Sequence, residues 1–538
     1  MSSPVTAQPG QVSAAGPARA ARAGLLFATF VCAACGLVYE LALVAQGSYL
    51  LGDSITQASV VLGTMVFAMG MGSLAAKPLQ RRAAVSFAAV EAVLALCGGL
   101  SVLGLYVAFT WWDLYWPALV GTALAVGALI GAEIPLLMTL LQRIRAQDAG
   151  SAVADLFAAD YVGALVGGLA FPFALLPLLG QTRGALVVGM VNAVAGAAVV
   201  LALFGAGLRR RDRLAVGGTT LAVLTVLGLA FAGTDTFLRT ARAQLYDDPV
   251  VHAETSSHQE IVLTASVPFT GPFVGPFTEP FTGPPDIRLF LNGDLQFSSR
   301  DEYRYHEALV HPALAGARAR VLVLGGGDGL ALREVLRYPD VRDVVEVELD
   351  PAVVRLARTD PRLLALNRGA LDDPRVRIVH ADAFEWLRHT AGGYDAIVVD
   401  LPDPDSTATA KLYSTEFYAL ARRALAPGGR LAVQAGSPYF APETFSCVLS
   451  TVRSAGLAAV PYHVDVPSFG DWGFVLAAAG AEPPLRLVPP QRLRFLDETV
   501  LGAAAVFPPD RRPQPTKPST LDDPVVLQLA AREWRGYG

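Results

Sequence analysis

Five acidic residues stand at the ends of apolar runs in the second half of the chain: Asp328, Glu348, Asp382, Asp400 and Asp403. Asp328 sits in a glycine loop, Gly325-Gly-Gly-Asp-Gly329, directly after Val321-Leu-Val-Leu324. Glycine lets a backbone turn sharply and approach a ligand closely. The next apolar run, Val344-Val-Glu-Val-Glu-Leu-Asp350, ends in carboxylates of the kind that accept hydrogen bonds from ribose hydroxyls. Such a pair of runs opens a nucleoside-binding α/β domain. The carboxylate inside the loop would repel a pyrophosphate and attract a cation. Tyr394-Asp-Ala-Ile-Val-Val-Asp-Leu-Pro-Asp-Pro404 delivers Asp400 at the end of a strand, and two prolines stiffen the loop that carries Asp403. Asp328, Asp400 and Asp403 gathered on one edge need a cation, either a metal ion or an organic polyamine. The spacing is DxxD, without the His or short DxD of many metal sites. Carboxylates spread along a channel match a diammonium better. Taken singly, each acid reads equally well as a solvated loop residue.

These residues need a scaffold, and the pattern supplies one. Strands at 320–324, 343–348, 375–379, 394–399 and 429–434 alternate with helices at 329–337, 351–358, 383–389, 414–425 and 441–455. Repeated βα units give a mostly parallel sheet that binds ligands at the carboxyl ends of its strands. We assign residues 313–480 to this Rossmann-like, class I methyltransferase-type domain. A small β-subdomain at 240–312 precedes it, with strands at 260–264, 288–291 and 295–297. A Pro/Phe-rich repeat at 268–284 interrupts the subdomain; its proline density excludes a central strand. It reads as an extended insertion, either a linker or a Phe loop that touches a partner or a membrane. The tail 481–538 is rich in Pro and Arg, with a short helix near Val525–Trp534 and no assigned role.

Composition divides the chain. Of 538 residues 53% are hydrophobic and only 17% charged, and the mean hydropathy is +0.43. The charge deficit lies in residues 24–233, a multi-pass α-helical membrane domain with about seven helices, at 24–46, 55–76, 84–110, 115–142, 160–180, 184–207 and 214–233. Residues 1–23 are a tail expected to be disordered. Basic residues recur in alternate connections (Arg19 and Arg22, then Lys77, Arg81 and Arg82, then Arg143 and Arg145, then Arg209 to Arg213), which places the N-terminus in the cytoplasm. Seven crossings then put residue 234 outside the cell, whereas a nucleoside donor is made inside; donor supply favours a cytoplasmic globular half. Glu40, Glu91, Glu133 and Asp160 lie in or beside apolar helices. Such carboxylates are functional by default, as a polyamine path or ion relay, unless paired near a helix end. Cys32 and Cys35 form a CxxC, but zinc needs two further ligands that the neighbouring sequence does not offer, so small-residue packing is the reading and no metal is expected. Four cysteines are too few for a disulfide framework, and a net charge of −5 gives no reason to expect nucleic acid.

Over residues 250–475 the chain resembles the spermidine synthase (polyamine aminopropyltransferase) family, and with its helical half the membrane-anchored multi-pass subgroup. The residues that carry the resemblance are His258-Gln-Glu-Ile261, Arg300-Asp-Glu-Tyr-Arg-Tyr-His-Glu307, Gly325-Gly-Gly-Asp-Gly329, Val347-Glu-Leu-Asp350, Asp382-Ala383, Asp400-Leu-Pro-Asp-Pro404 and Pro467-Ser-Phe-Gly-Asp-Trp-Gly-Phe474. The resemblance implies roles. Gln259, Gly325, Gly326, Gly327, Glu348, Asp382 and Ala383 would hold the nucleoside donor or product. Tyr305, His306, Asp328 and Asp403 would line the polyamine pocket, and Asp400 would be the proton acceptor. The family's small polar residues between the two aspartates are here Leu401-Pro402, and a Gly-Pro-rich continuation is replaced by Asp405-Ser-Thr-Ala-Thr-Ala-Lys411. The acceptor amine is therefore not fixed by the motif.

The implied reaction transfers the aminopropyl group of decarboxylated S-adenosylmethionine, as co-substrate, to a diamine such as putrescine, with methylthioadenosine released and no permanently bound cofactor. This is a transferase of spermidine biosynthesis at the cell membrane. Its partners would be the diamine, the adenosyl sulfonium donor and the lipid bilayer; a homo-oligomer is left open. Two other readings share the glycine loop. One is a methyltransferase using S-adenosylmethionine, which has less need of three aspartates at the acceptor. The other is a non-catalytic polyamine sensor or transporter, which would move polyamine without releasing methylthioadenosine.

Overall fold

A computed structural model describes residues 15–51, 54–144, 149–266, 284–489 and 491–535. The repeat expected at 268–284 falls, except for its last residue, outside the described residues, as do residues 1–14 of the expected disordered tail. The chain forms two compact units that meet in sequence at Leu245 and Tyr246.

The first unit contains helices α1 (Ala15–Leu51), α2 (Ser54–Ala75), α3 (Ala83–Thr110), α4 (Tyr115–Ile144), α5 (Ala149–Ala170), α6 (Leu176–Leu203) and α7 (Arg210–Leu245). α1 thus opens inside the tail expected to be disordered, and α7 runs on beyond residue 233. By length and apolarity six helical stretches could cross a membrane, because α5 and α6 continue into each other as one stretch of 51 residues, Val153–Leu203. At about 1.5 Å per residue that stretch would be more than twice as long as a bilayer core is thick. It doubles back instead. A π-helical turn at Phe171–Leu175 and Gly180, at φ 70° and ψ 175°, break the helix. α5 runs alongside α1 in the same direction: Arg22 pairs with Asp155, and Gly163 and Gly167 lie against Phe30 and Ala34. α6 returns: Gln181 Nε2 donates to the Ala42 carbonyl at 2.9 Å, and Gly24 lies beside Leu203.

The second unit holds two sheets. Strands β1 (Val250–Thr255), β2 (Glu260–Ala265), β3 (Ile287–Leu291) and β4 (Asp294–Ser298) form an antiparallel sheet in chain order. The Asn292-Gly293 turn between β3 and β4 puts both residues at positive φ, 52° and 95°. The seven-stranded sheet is built from β5 (Arg320–Gly325), β6 (Asp343–Glu348), β7 (Val376–His380), β8 (Tyr394–Asp400), β9 (Leu425–Gln434), β10 (Leu457–Val466) and β11 (Gly470–Ala479), in the order β10-β11-β9-β8-β5-β6-β7. β5 to β9 are parallel, and β11 and β10 complete one edge antiparallel. Helices cover both faces, so the central strands are apolar on both sides. Val321 and Val323 join one buried cluster while Leu322 and Leu324 join the other. From β5 the chain steps outward first to β6 and later to β8. The order reverses between β5 and β8, and a crevice forms at such a point.

The sequence pattern located the five parallel strands to within a few residues. It gave no sign of β1, β10, β11 or the helix Glu302–Val310. The tail from residue 481, given no role above, is part of the core: Leu487, Leu493, Leu496 and Leu501 are buried in one cluster, Phe507 and Val526 in the other. Glu307 fastens it. Its fully buried carboxylate accepts the backbone N–H groups of Arg494, Phe495 and Leu496 at 2.8, 2.9 and 2.8 Å.

Glu346, in the middle of β6, is 0% exposed, and neither carboxylate oxygen meets a donor. Burial, followed by the nearby Glu348 and Asp328, pushes its carboxyl well above the ordinary value of 4.5. The folded state keeps the proton while the unfolded chain gives it up above that pH. The fold therefore loses stability through this residue as the pH rises above 4.5. Glu346→Gln removes that loss. We expect thermal melts to show the variant more stable than wild type in mildly alkaline buffer, with the gain vanishing at or below the ordinary carboxylate pKa.

Candidate active site

The geometry of the site begins with two strands that separate. Gly325 ends β5 directly opposite Asp400, which ends β8. A Cβ on Gly325 would lie 2.0 Å from the Asp400 carbonyl oxygen, and its φ is 81°. Only glycine brings the loop so near the neighbouring strand. Gly326, also at positive φ, faces the Asp400 carboxylate: a Cβ there would lie 3.2 Å from Oδ2. Gly327 faces the other way, against Glu348 at the end of β6; its N–H donates to Oε2 at 3.2 Å, and a Cβ would meet Cγ at 2.7 Å. Asp328 turns back on its own loop and accepts the Leu330 N–H at 2.8 Å.

The helix Glu302–Val310 supplies the other wall. Tyr305 Oη donates to Asp400 Oδ1 at 2.7 Å. His306, 2% exposed, sits one position further on, with Nδ1 3.0 Å from Glu302 Oε2 and 2.7 Å from the Glu302 carbonyl. Arg333 holds both oxygens of Glu302 at 2.9 and 2.8 Å. Burial works against a charged imidazole, but the Glu302 carboxylate outweighs it, with Asp400 and Asp328 adding, and His306 is raised to about 9. At neutral pH an imidazolium therefore lies behind the two aspartates.

The acids respond mainly to loss of water. Burial raises Asp328 to about 6, with His306 opposing and Asp400 adding. Asp400 is raised by burial, and His306 and the Tyr305 hydroxyl hold the rise back. Asp403 rises to about 6 by burial; Gln434, which donates to Oδ1 at 3.0 Å, opposes, and Asp405 adds. Glu348 rises to about 7 by burial, against N–H donation from Asp350 and Gly327. Several carboxyls at the carboxyl edge of one sheet are thus held near neutrality, as at many catalytic and ligand sites.

Tyr305, His306, Asp328, Asp400 and Asp403 are therefore brought together, with Glu348 and the glycines on the adjoining side. The other residues inferred from the sequence make contacts of their own. Gln259 Nε2 donates to Asp350 Oδ2 at 3.1 Å, next to Ser256 Oγ at 2.6 Å. Asp382 caps the helix Ala383–His389 and binds Lys411 Nζ at 2.6 Å. Burial would raise Asp382, but Lys411 outweighs it and the carboxyl lies below its ordinary value. Ala383 is buried as the first residue of that helix.

Several neighbours were not singled out from the sequence: Glu302 and Arg333, which charge His306; Gln434, which holds Asp403; Lys411; and Asp294. Asp294 follows the Asn292-Gly293 turn and shares a hydrogen bond with Asp405, and loss of water followed by Asp405 raises it to about 7. The turn signal marked this position, yet nothing local indicates that a hairpin tip faces another loop's acid.

A family model described as "Spermine/spermidine synthase domain" matches residues 302–487. Polyamine aminopropyltransferase 1 of Streptomyces coelicolor is 59% identical over 521 residues, 96% of this chain and 96% of that protein. The polyamine aminopropyltransferase of Mycobacterium tuberculosis is 50% identical over 525 residues, 95% of this chain and 97% of that one. A crystal structure of a spermidine synthase in complex with the transition state analogue AdoDATO is 26% identical, with a TM-score of 0.41, over 48% of this chain and 85% of that chain. The chain belongs to the polyamine aminopropyltransferase, or spermidine synthase, family. It is an aminopropyltransferase, and the likeness to the first two relatives runs through the helical unit as well as the sheet domain.

The glycines separate fold from ligand. Gly325→Ala meets backbone and sits at positive φ, so we expect a loss of more than ~2 kcal/mol in chemical denaturation. Gly327→Ala, at an ordinary φ, meets the Glu348 side chain from Cγ outward and no backbone, so the displacement falls on that carboxylate. We expect that variant to melt near wild type and to lose affinity for the nucleoside product in calorimetry.

Proposed function

We propose that this enzyme transfers the aminopropyl group of decarboxylated S-adenosylmethionine to a diamine of the putrescine type, releasing methylthioadenosine. The observation that carries this reading is Asp400, a half-buried carboxylate aligned by the Tyr305 hydroxyl at the strand switch. The acceptor nitrogen must be neutral to attack the propyl carbon beside the sulfonium. As the new C–N bond forms, the C–S bond breaks, its electron pair stays on sulfur, and the surplus proton of the amine passes to Asp400. Asp328 and Asp403 hold the distal ammonium, and Tyr305 and His306 complete the pocket wall, so the attack occurs within a positioned pair. Gly325, Gly326 and Gly327 let the donor approach the loop, Glu348 receives its ribose hydroxyls, and Gln259, Asp382 and Ala383 border the nucleoside.

Product analysis of the purified enzyme given decarboxylated S-adenosylmethionine and a panel of diamines tests the reaction. We expect Asp400→Asn to lower turnover at least ~100-fold while methylthioadenosine still binds. Near-normal turnover in that variant would remove Asp400 from the role of base.

We also propose that the helical unit spans a membrane seven times. The return of α6 beside α1 supports two crossings within Val153–Leu203. Arg22, Arg81, Arg143 and Arg210 lie at one end of this alternating bundle, which is then the cytoplasmic end. Leu245 emerges at the other end. Donor supply favours the cytoplasm for the globular unit; the crossing count favours the opposite face. Single cysteines replacing Lys77 and Asp247, in a background without the native ones, resolve this in sealed vesicles. We expect a membrane-impermeant thiol reagent to reach them from opposite faces. Labelling of both from one face would remove a crossing.

A further inference from the structure

Deep in the helical unit, α1, α3 and α4 bring Cys32, Glu91 and Glu133 together, with one donor atom from each residue within 4.8 Å of the others. They are 1%, 0% and 5% exposed. Both oxygens of Glu91 and one of Glu133 lie buried without a hydrogen-bond partner. Among the described residues neither glutamate forms an ion pair. Asn192 of α6 adjoins them, its amide nitrogen 3.4 Å from the Glu91 carbonyl, and its own Oδ1 is also buried without a donor. Two adjacent carboxylates with three unpartnered oxygens inside an apolar bundle are costly when charged unless something positive lies between them.

We propose that this cluster is a binding site for a divalent transition-metal ion of the zinc class, with Cys32, Glu91 and Glu133 as ligands and the adjoining Asn192 as a candidate for the fourth. Zinc holds sulfur at about 2.3 Å and oxygen at about 2.1 Å, so its donors stand roughly 3.5 Å apart. A trio already within 4.8 Å closes on such an ion by side-chain rotation. The two carboxylates neutralise the dication, and the thiol favours a borderline metal over magnesium or calcium. Binding releases the thiol proton, so affinity rises with pH. A polyamine is a poorer occupant, because its methylene chain needs a channel. Here the backbones are packed tight: a Cβ on Gly196 would lie 2.5 Å from Glu91 Cβ, and one on Gly98 2.6 Å from the Tyr39 ring. The sequence showed the CxxC but not its partners, because the two glutamates come from helices far along the chain.

The test uses the detergent-purified full chain, loaded with Zn²⁺ or Co²⁺ and freed of excess ion. We expect retention of one ion per chain and, with cobalt, a sulfur-to-metal charge-transfer band. Cys32→Ser should abolish the band, and Glu91→Gln or Glu133→Gln should weaken retention at least about tenfold, with aminopropyl transfer and helix content unchanged. Cys97→Ser should leave both signals intact. No retained metal in the wild type, or a band that survives Cys32→Ser, overturns the proposal. So does an infrared carboxylic-acid band that persists in the metal-exposed protein and disappears in Glu133→Gln, since the two glutamates would then be sharing a proton instead.

Discussion

The contact between Gly325 and the Asp400 carbonyl underlies the rest of the sheet domain. Two parallel strands run side by side and then separate, and the first must turn away without a side chain in the gap. That close approach sets the end of β8 against the start of the glycine loop. It allows one carboxylate, Asp400, to face the loop, while Gly327 leaves room for another, Glu348, on the far side. The loop's own carboxylate, Asp328, adds a third acid at the same edge of the sheet. A methyl group in place of the Gly325 hydrogen would push the loop away from the Asp400 backbone.

Such a concentration of like charge is tolerable because of what surrounds it. His306 is held charged by Glu302, which Arg333 grips with two hydrogen bonds, and the aspartates feel that charge from behind. Asp328, Asp403 and Glu348 still lie above the ordinary carboxylate range, since burial outweighs the help they receive. A cation entering the crevice reverses those shifts and gains from doing so. The free site is therefore strained electrostatically in the direction that a cationic ligand relieves. The pair Asp294 and Asp405 extends the same tendency outward to the hairpin of the small sheet.

What the sequence revealed follows the range of the forces involved. The central strands β5 and β8 were legible because they are buried on both faces and are apolar along most of their length. The glycine loop and the aspartates at strand ends were legible because topology puts the ends of parallel strands on one edge. Lys411 with Asp382, Gln434 with Asp403 and Gln259 with Asp350 were not, since each joins segments whose separation in the chain carries no pattern. The tail from 481 was given no role because its buried leucines stand singly among prolines, without helix or strand period. In the helical unit the sequence separated helices at 160–180 and 184–207, and Gly180, where Val153–Leu203 folds back, lies at that break. The glutamates at 91 and 133 were noticed for their setting, but nothing local could pair them with Cys32.

Glu307 has a consequence for how the molecule is made. Its carboxylate lies in the wall helix beside Tyr305 and His306, yet all three of its bonds go to residues 494–496. On a ribosome, which releases the chain from its N-terminus, that acid stays without its partners until residues 494–496 have emerged. The helical unit is finished long before. A nascent chain stalled in the sheet domain would therefore carry completed helices while the wall helix still lacked the three donors that hold Glu307.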